Sequence, residues 1–138
     1  EAMALGAGIW EGYVCPVMDA RRGQVYNGIF HMECGKCTTI REDRAISLED
    51  LKKELKIFEE AVFLVGDGSN LCYNTLVESL PGLVLPPEHR LHQRAVGVGL
   101  AAMRQIAAGD RGNGAALAPN YLRLSQAERE KLAREQQK

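Results

Sequence analysis

The sequence predicts an α/β fold, in which an antiparallel meander of three strands is followed by helices and one buried strand. Strand-like segments separated by short turns fill the first third of the chain. The hydrophobic period then changes to that of a helix. A short unbroken apolar run at 61–65 follows this helix, as expected of a strand that is covered on both faces.

The meander is predicted from residue 13 to residue 41. Residues 13–18 form its first strand, and Asp-Ala-Arg-Arg-Gly at 19–23 is a hairpin turn in which Gly23 can supply a positive φ. Residues 24–32 alternate as a second strand does. Cys-Gly-Lys-Cys at 34–37 is a second tight turn, and β-branched residues start a third strand at 38–41.

The first long helix begins after Ser47, which forms a capping box with Asp50. Its apolar residues recur at helical spacing: Leu48, Leu51, Leu55 and Phe58. After the buried strand, Gly-Asp-Gly-Ser at 66–69 forms a turn, and a second helix is expected from about 70 to 80. Residues 83–85 are predicted as a last edge strand.

The longest helix is predicted from His89 to Ala108, after two prolines that set up its start. Gly97 and Gly99 lie inside it, where each glycine costs about 1 kcal/mol relative to alanine, so we expect another backbone to pack closely there. The predicted inner stripe is Leu91, Ala95, Val98, Ala102 and Ile106.

This order of elements is that of a ribonuclease-H-like lobe, the unit that is duplicated in actin-like ATPases. We divide the chain into the end of an inter-lobe linker helix (1–12), the lobe itself (13–123) and a charged C-terminal helix or tail (124–138). The opening Glu-Ala-Met-Ala-Leu resembles the middle of a helix without a cap, so we expect further sequence before it in the intact protein. The order of elements alone predicts no function.

Composition excludes several classes of protein. The 138 residues include 17 basic and 18 acidic side chains, and a net charge of −1 disfavours a stand-alone nucleic-acid binder. No apolar run approaches the roughly 20 residues needed to span a bilayer, and the start does not resemble a signal peptide. A chain with 46% hydrophobic residues needs no disulfides, so its four cysteines favour a reducing, cytoplasmic location.

Three segments resemble the TsaB family, also called YeaZ or glycoprotease-like proteins. Residues 14–26 resemble the hairpin that opens the second lobe of these proteins, and residues 1–4 resemble the helix that links the two lobes. Pro-Asn-Tyr-Leu-Arg at 119–123 resembles the closing motif, with the helix at 92–108 at the matching distance before it. The resemblance spans nearly the whole chain.

The resemblance implies a role in tRNA modification. TsaB proteins pair with TsaD, the catalytic relative, and with TsaE they transfer threonylcarbamoyl to an adenosine of tRNA. This chain would then be the C-terminal lobe of a non-catalytic scaffold that meets tRNA indirectly. The TsaD contact and any homodimer would chiefly use the other lobe. No zinc-protease motif and no Ser-His-Asp pattern supports the older glycoprotease label.

The resemblance also implies where a nucleotide would lie. In actin-like ATPases the second-lobe hairpin approaches phosphates, and the matching residues are Asp19 and Arg21. A later Gly-rich turn approaches adenosine, and the matching residues are Gly66, Asp67 and Gly68. With Gly23 as its one glycine, the hairpin favours a degenerate cleft, and only weak ATP or ADP binding is left open for the intact protein. The alternative is structural: Asp19 caps the turn, an arginine pairs with it, and the later glycines form a strand-to-helix turn.

Other polar residues give weaker predictions. Cys34 and Cys37 have C-x-x-C spacing, but no second pair completes a zinc site and they flank a strand turn rather than a helix start. His89 and His92 could share a helix face, but without a carboxylate ligand in an H-E-x-x-H pattern. We therefore predict no metal site.

Tyr121 and Arg123 are candidate contacts for a partner, with the alternative that Tyr121 packs the tail onto the sheet. Two functions are compatible with the sequence. One is the scaffold described above, and the other is half of an actin-like ATPase or kinase whose cleft is completed by an N-terminal lobe.

Overall fold

The computed structural model describes residues 1–122 and Arg134, so the predicted tail at 124–138 lies, apart from Arg134, outside the described residues. No helix in the described part is long and apolar enough to cross a membrane. The elements in chain order are α1 (Ala2–Gly6), β1 (Gly12–Asp19), β2 (Gln24–Glu33), β3 (Lys36–Ser47), α2 (Leu48–Leu55), β4 (Val62–Val65), α3 (Ser69–Leu76), β5 (Leu83–Val84), α4 (Glu88–Leu91), α5 (Ala95–Ala107) and a 3-10 turn (Gly114–Ala116).

The five strands form one mixed sheet in the order β3-β2-β1-β4-β5. β1, β2 and β3 are antiparallel neighbours, which confirms the predicted meander. β4 pairs in parallel with β1 on one side and with β5 on the other, so the apolar run is an interior strand, as predicted. The register between β1 and β4 aligns Tyr13 with Val62 and Pro16 with Val65.

Helices cover both faces of the sheet, and a hydrophobic core lies under each layer. On one face, Cys15, Val17 and Ile29 pack with residues of α2 and α3 such as Leu51 and Cys72. On the other face, strand residues and α1 form a second core: Ala4, Ala7, Val14, Phe30, Met32, Cys37 and Val65. Alternate residues of β1 therefore point into different cores, as the two-residue period of a strand requires.

The cap of α2 differs in one detail from the predicted capping box. The backbone N–H of Asp50 donates to Ser47 Oγ at 3.1 Å, as predicted. The Asp50 carboxylate accepts from the Ser47 hydroxyl at 2.8 Å and from Lys53 Nζ at 2.9 Å. Lys53, followed by Ser47, lowers the pKa of Asp50.

The prediction of one helix from His89 to Ala108 is wrong. The helix is broken between α4 and α5, where His92 and Arg94 are extended. A continuous helix would require the carbonyl oxygen of Leu91 to accept from residue 95. That oxygen instead accepts from the backbone N–H of Gly66 at 2.6 Å, so the turn after β4 ends α4.

The predicted inner stripe of this helix is also wrong beyond Leu91, because Val98 and Ile106 are exposed. α5 packs against α1 through Gly97, where a Cβ would overlap the carbonyl oxygen of Ala2. This confirms the close backbone contact predicted at Gly97. A Cβ at Gly99 would meet no described atom within 4 Å, so the same prediction fails there.

α1 is shorter than the linker helix predicted at 1–12. It ends at Gly6, Gly8 then adopts a φ of +64°, and Gly12 already belongs to β1. The positive φ at Gly8 is a conformation that suits glycine and ends a helix.

Candidate functional site

The candidate cofactor residues meet at one edge of the sheet. β1 and β4 are parallel neighbours, so their carboxyl ends lie side by side. Asp19 ends β1, and Gly66–Gly68 follow β4. A Cβ at Gly68 would lie 3.1 Å from the backbone nitrogen of Asp19, so the two turns are in contact. Open α/β sheets commonly bind ligands at the carboxyl ends of their strands.

The hairpin turn is held by Asp19. Its Oδ1 accepts from the backbone N–H of Arg21 at 2.7 Å, and the Arg21 guanidinium lies 3.7 Å from its Oδ2. Arg21, Arg22 and Gly23 all have positive φ, from +56° to +70°. The Arg21 side chain is 87% exposed, so its charge points into solvent rather than across the neighbouring turn. Such an exposed ion pair contributes little stability.

The glycines of the second turn have a packing role. Gly66 has a φ of +104°, and a Cβ there would overlap the carbonyl oxygen of Val17. Three backbone N–H groups of this turn are already used within the chain: Gly66 donates to Leu91, Gly68 to Val17 and Ser69 to Gly66. A loop that cradles phosphate needs such groups directed at the ligand. The exposed Asp67 adds negative charge beside them.

A small cleft of about 240 Å³ opens next to this turn, lined by Met3, Met18, Gly66, Asp67, His92 and Gln93. It lies where the broken helix leaves His92 in an extended conformation. A small polar ligand in this cleft could form hydrogen bonds with Asp67 and His92. It has no described arginine or lysine in its lining, so an anionic polyphosphate would lack a counter-charge there.

The sequence did not predict a buried polar network that connects β2 to β1, β3 and α2. Asn27, only 3% exposed, donates from Nδ2 to Cys15 Sγ at 3.6 Å and accepts at Oδ1 from Arg44 Nε at 3.3 Å. Arg44 Nη2 also donates to Glu54 of α2 at 2.7 Å. No periodic pattern links these residues, since Asn27 belongs to a strand and Glu54 to a helix that is distant from it in sequence.

All four cysteines are free thiols, and Cys15, Cys37 and Cys72 are buried. Burial raises the pKa of Cys15 and that of Cys72 to about 12, and burial also raises the pKa of Cys37. Cys34 is exposed in the tight turn, with a φ of +48°. The described residues hold no group of three or more His, Cys, Asp or Glu side chains that could bind a metal ion.

Of the two residues predicted to bind a partner, the structure describes Tyr121 but not Arg123. Tyr121 is 83% exposed, so the alternative in which it packs the tail onto the sheet is wrong. Arg123 lies outside the described residues. The partner role of both residues stays a prediction.

A second feature that the sequence analysis missed is an apolar groove of about 440 Å³ between the first loop and α5. Its walls include Trp10, Met32, Leu100 and Met103, and Arg104 lies at its side. The Trp10 ring lies over the turn of the β2–β3 hairpin, 2.9 Å from the position of a Gly35 Cβ. The near absence of charge in α5, whose sequence is AVGVGLAAMRQIA, was the pattern that could have predicted such a surface.

Comparison with known proteins finds a curated protein of similar sequence and a solved structure of similar fold. No protein-family profile matches the chain. Over 130 residues, 93% of its length, the chain is 28% identical to the tRNA threonylcarbamoyladenosine biosynthesis protein TsaB of Bacillus subtilis (strain 168). The match covers 55% of that protein, so the chain spans about half the length of this curated relative.

A crystal structure of an uncharacterized protein with similarity to peptidase YEAZ, from Pseudomonas aeruginosa, has a TM-score of 0.64 to this chain at 20% identity. The superposition covers 88% of this chain and 55% of that one. It shows a shared fold, which confirms the predicted ribonuclease-H-like class. The sequence match is to a TsaB protein and the structural match shows a shared fold, in line with the resemblance of the hairpin and closing motif to the TsaB/YeaZ family.

Proposed function

We propose that the chain acts in the biosynthesis of threonylcarbamoyladenosine on tRNA, as a non-catalytic scaffold lobe that binds TsaD and, with it, TsaE. The observation that carries this proposal is the match to a TsaB protein over 93% of the chain. In this proposal the chain reaches tRNA only through its protein partners. The protein works in the cytoplasm, and any homodimer of the intact protein chiefly uses the other lobe.

The geometry at the carboxyl edge of the sheet supports a scaffold over an ATPase. The glycines at 66 and 68 are needed for close packing on Val17, and their N–H groups are used within the chain. Arg21, the candidate phosphate contact, points into solvent. The competing proposal, half of an actin-like ATPase or kinase, requires these groups to turn towards a nucleotide when a second lobe closes over them.

A binding titration with a purified bacterial TsaD tests the partner role. We expect saturable binding that is weaker than that of full-length B. subtilis TsaB, because the chain spans about half of that relative. Absence of saturable binding would contradict a direct contribution of this lobe to TsaD binding, and affinity equal to that of full-length TsaB would contradict the placement of the main contact in the other lobe.

A parallel titration of the intact protein, in which a second lobe would complete the cleft, with ATP and magnesium separates the two functions. We expect at most weak nucleotide binding and no ATP hydrolysis. Hydrolysis that is lost on changing Asp67→Asn and retained on changing the distant Glu33→Gln would favour the ATPase instead. Both residues are exposed, so neither change is expected to affect folding.

A further inference from the structure

The apolar groove beside Trp10 is open to solvent in the described part of the chain. Its volume is about 440 Å³, and its lining consists of seven apolar side chains, two glycines and Arg104. Two residues of its walls, Trp10 and Met103, are 66% and 68% exposed. Concave sites of this size, with mostly apolar walls and few polar groups, bind apolar ligands or side chains. The groove therefore favours an uncharged, apolar occupant.

The chain itself supplies an uncharged apolar segment soon after α5. Residues 112–121, with the sequence GNGAALAPNY, carry no charged side chain. We call this segment the strap. Every residue of the strap is exposed. Its Leu117, at 87%, is the most exposed large apolar side chain among the described residues.

No hydrogen bond attaches the strap to the sheet or to the first loop within the described residues. The hydrogen bonds of residues 110–121 all go to the end of α5 or to the segment itself. Gly109 and Gly112 have φ values of +91° and +65°, and a Cβ at either position would meet no described atom within 4 Å. Because glycine adopts many backbone conformations, these two positions can act as hinges.

The strap can reach the groove without a movement of α5. Ala107, the last residue of α5, already lines the groove. Leu117 follows Ala107 by ten positions in the sequence, and a chain of that length spans up to about 33 Å. A groove with Ala107 in its wall lies well within that distance. Short flexible tethers hold a segment at roughly millimolar effective concentrations, so the strap competes well for this surface.

The groove also offers the strap a hydrogen-bond donor and imposes no unpaired charge. The indole N–H of Trp10 has no partner among the described residues, so it can donate to a carbonyl oxygen of the strap. Arg104 already donates to Cys37 O at 2.7 Å and pairs with Glu1 Oε1 at 3.1 Å. An uncharged strap leaves these two contacts in place, so closure buries no unpaired charge.

We propose that the strap closes over the apolar groove and inserts Leu117 between Trp10 and Met103. The described arrangement is then the open form, in which both apolar surfaces face solvent. Closure removes both surfaces from water at once, which favours the closed form in the free chain. Any partner that binds this groove has to displace the strap first. The proposal does not depend on the proposed role in tRNA modification.

Fluorescence quenching tests the proposal, because Trp10 is the single tryptophan of the chain and lines the groove. Quenching by acrylamide is measured on the 138-residue chain and its variants. The closed strap shields the indole ring, so we expect Leu117→Asn to raise the quenching constant at least twofold. Ile57→Asn is the matched control and should leave the constant unchanged, since Ile57 is 65% exposed but lies outside the groove and the strap.

A paramagnetic label measures the approach of the strap independently of quenching. The label is attached to Asn120→Cys in a Cys34→Ser background, because the other three cysteines are buried. We expect the label to broaden the NMR signal of the Trp10 indole N–H, and Leu117→Asn in the same background to restore that signal. Circular dichroism of each variant checks that the fold is retained.

Four results would overturn the proposal. Equal quenching in the wild type and in Leu117→Asn, or an indole signal that the label leaves sharp, would mean that the groove stays open. Shielding of Trp10 that grows with protein concentration would assign the groove to a second copy of the chain. Shielding that Leu132→Asn removes and Leu117→Asn leaves intact would assign it to residues 123–138.

Discussion

Arg44 joins two parts of the molecule through one side chain. Its guanidinium binds the buried Asn27 of β2 and the Glu54 carboxylate of α2. Arg44→Ala would leave Asn27 Oδ1 without this donor in a buried position, which costs about 1–3 kcal/mol. Arg41, 3.4 Å from the same carboxylate and more exposed, is the control.

We therefore expect Arg44→Ala to lower the free energy of unfolding by about 1–3 kcal/mol, and Arg41→Ala by less than about 1 kcal/mol. Urea unfolding monitored by circular dichroism measures both. Equal losses in the two variants would show that the Asn27 contact contributes nothing beyond a surface ion pair.

Cys15 and Cys72 make the stability of the fold depend on pH in the alkaline range. Burial raises the pKa of each thiol from 9.0 to about 12 in the folded state. Because the folded protein holds these protons more tightly than the unfolded chain, their contribution to stability is fully present below pH 9. It is lost as the pH rises from 9 towards 12.

The free energy of unfolding, measured at several pH values from 8 to 11, is therefore expected to fall less steeply in Cys72→Ala than in the wild type. Cys34→Ala, which removes an exposed thiol, is the control and should keep the wild-type slope. If Cys72→Ala also keeps that slope, its thiol does not govern the alkaline loss of stability.

At the scale of an element, the close packing of α5 on α1 depends on one glycine, Gly97. Gly97→Ala would push a methyl group into the carbonyl oxygen of Ala2, whereas the methyl group of Gly99→Ala would meet no described atom within 4 Å. We expect Gly97→Ala to destabilise the chain by about 1–3 kcal/mol through overpacking. Gly99→Ala should stabilise it by up to about 1 kcal/mol, because alanine is the better helix former. Thermal or urea unfolding at low protein concentration compares them, and two changes of the same sign would refute this packing.

The same helix shows where reasoning from sequence stops. The apolar spacing correctly predicted a helix, and a helix-interior glycine correctly predicted a close backbone contact at Gly97. The break at His92 could not be predicted, because it depends on Gly66 from a distant turn binding the Leu91 carbonyl. The buried side could not be predicted either, because nearly every side of α5 is apolar.

At the scale of the whole molecule, the sheet was predictable because each strand has a local pattern. Alternation in β2 and the tight turn at Gly35 determine the meander, and the unbroken apolar run at β4 indicates an interior strand. The candidate cleft followed from that order, since it places Asp19 beside Gly68. What depends on three-dimensional partners did not follow: the Asn27 network, the groove beside Trp10 and the orientation of Arg21.

The two layers of helices should differ in stability. α2 and α3 bury leucines in the larger core of the sheet, whereas Gly97 is the sole buried residue of α5, which is held by α1 and by the bond from Arg104 to Cys37 O. Elements with few buried apolar contacts open locally before the global transition. In hydrogen exchange we therefore expect α5 amides to exchange well before those of β1 and β4. Arg104→Gln should accelerate exchange in α5 and leave β1 unchanged, because it loosens the attachment of α5 without touching the sheet. Equal protection in α5 and β1 would instead mean that the molecule unfolds as a single cooperative unit.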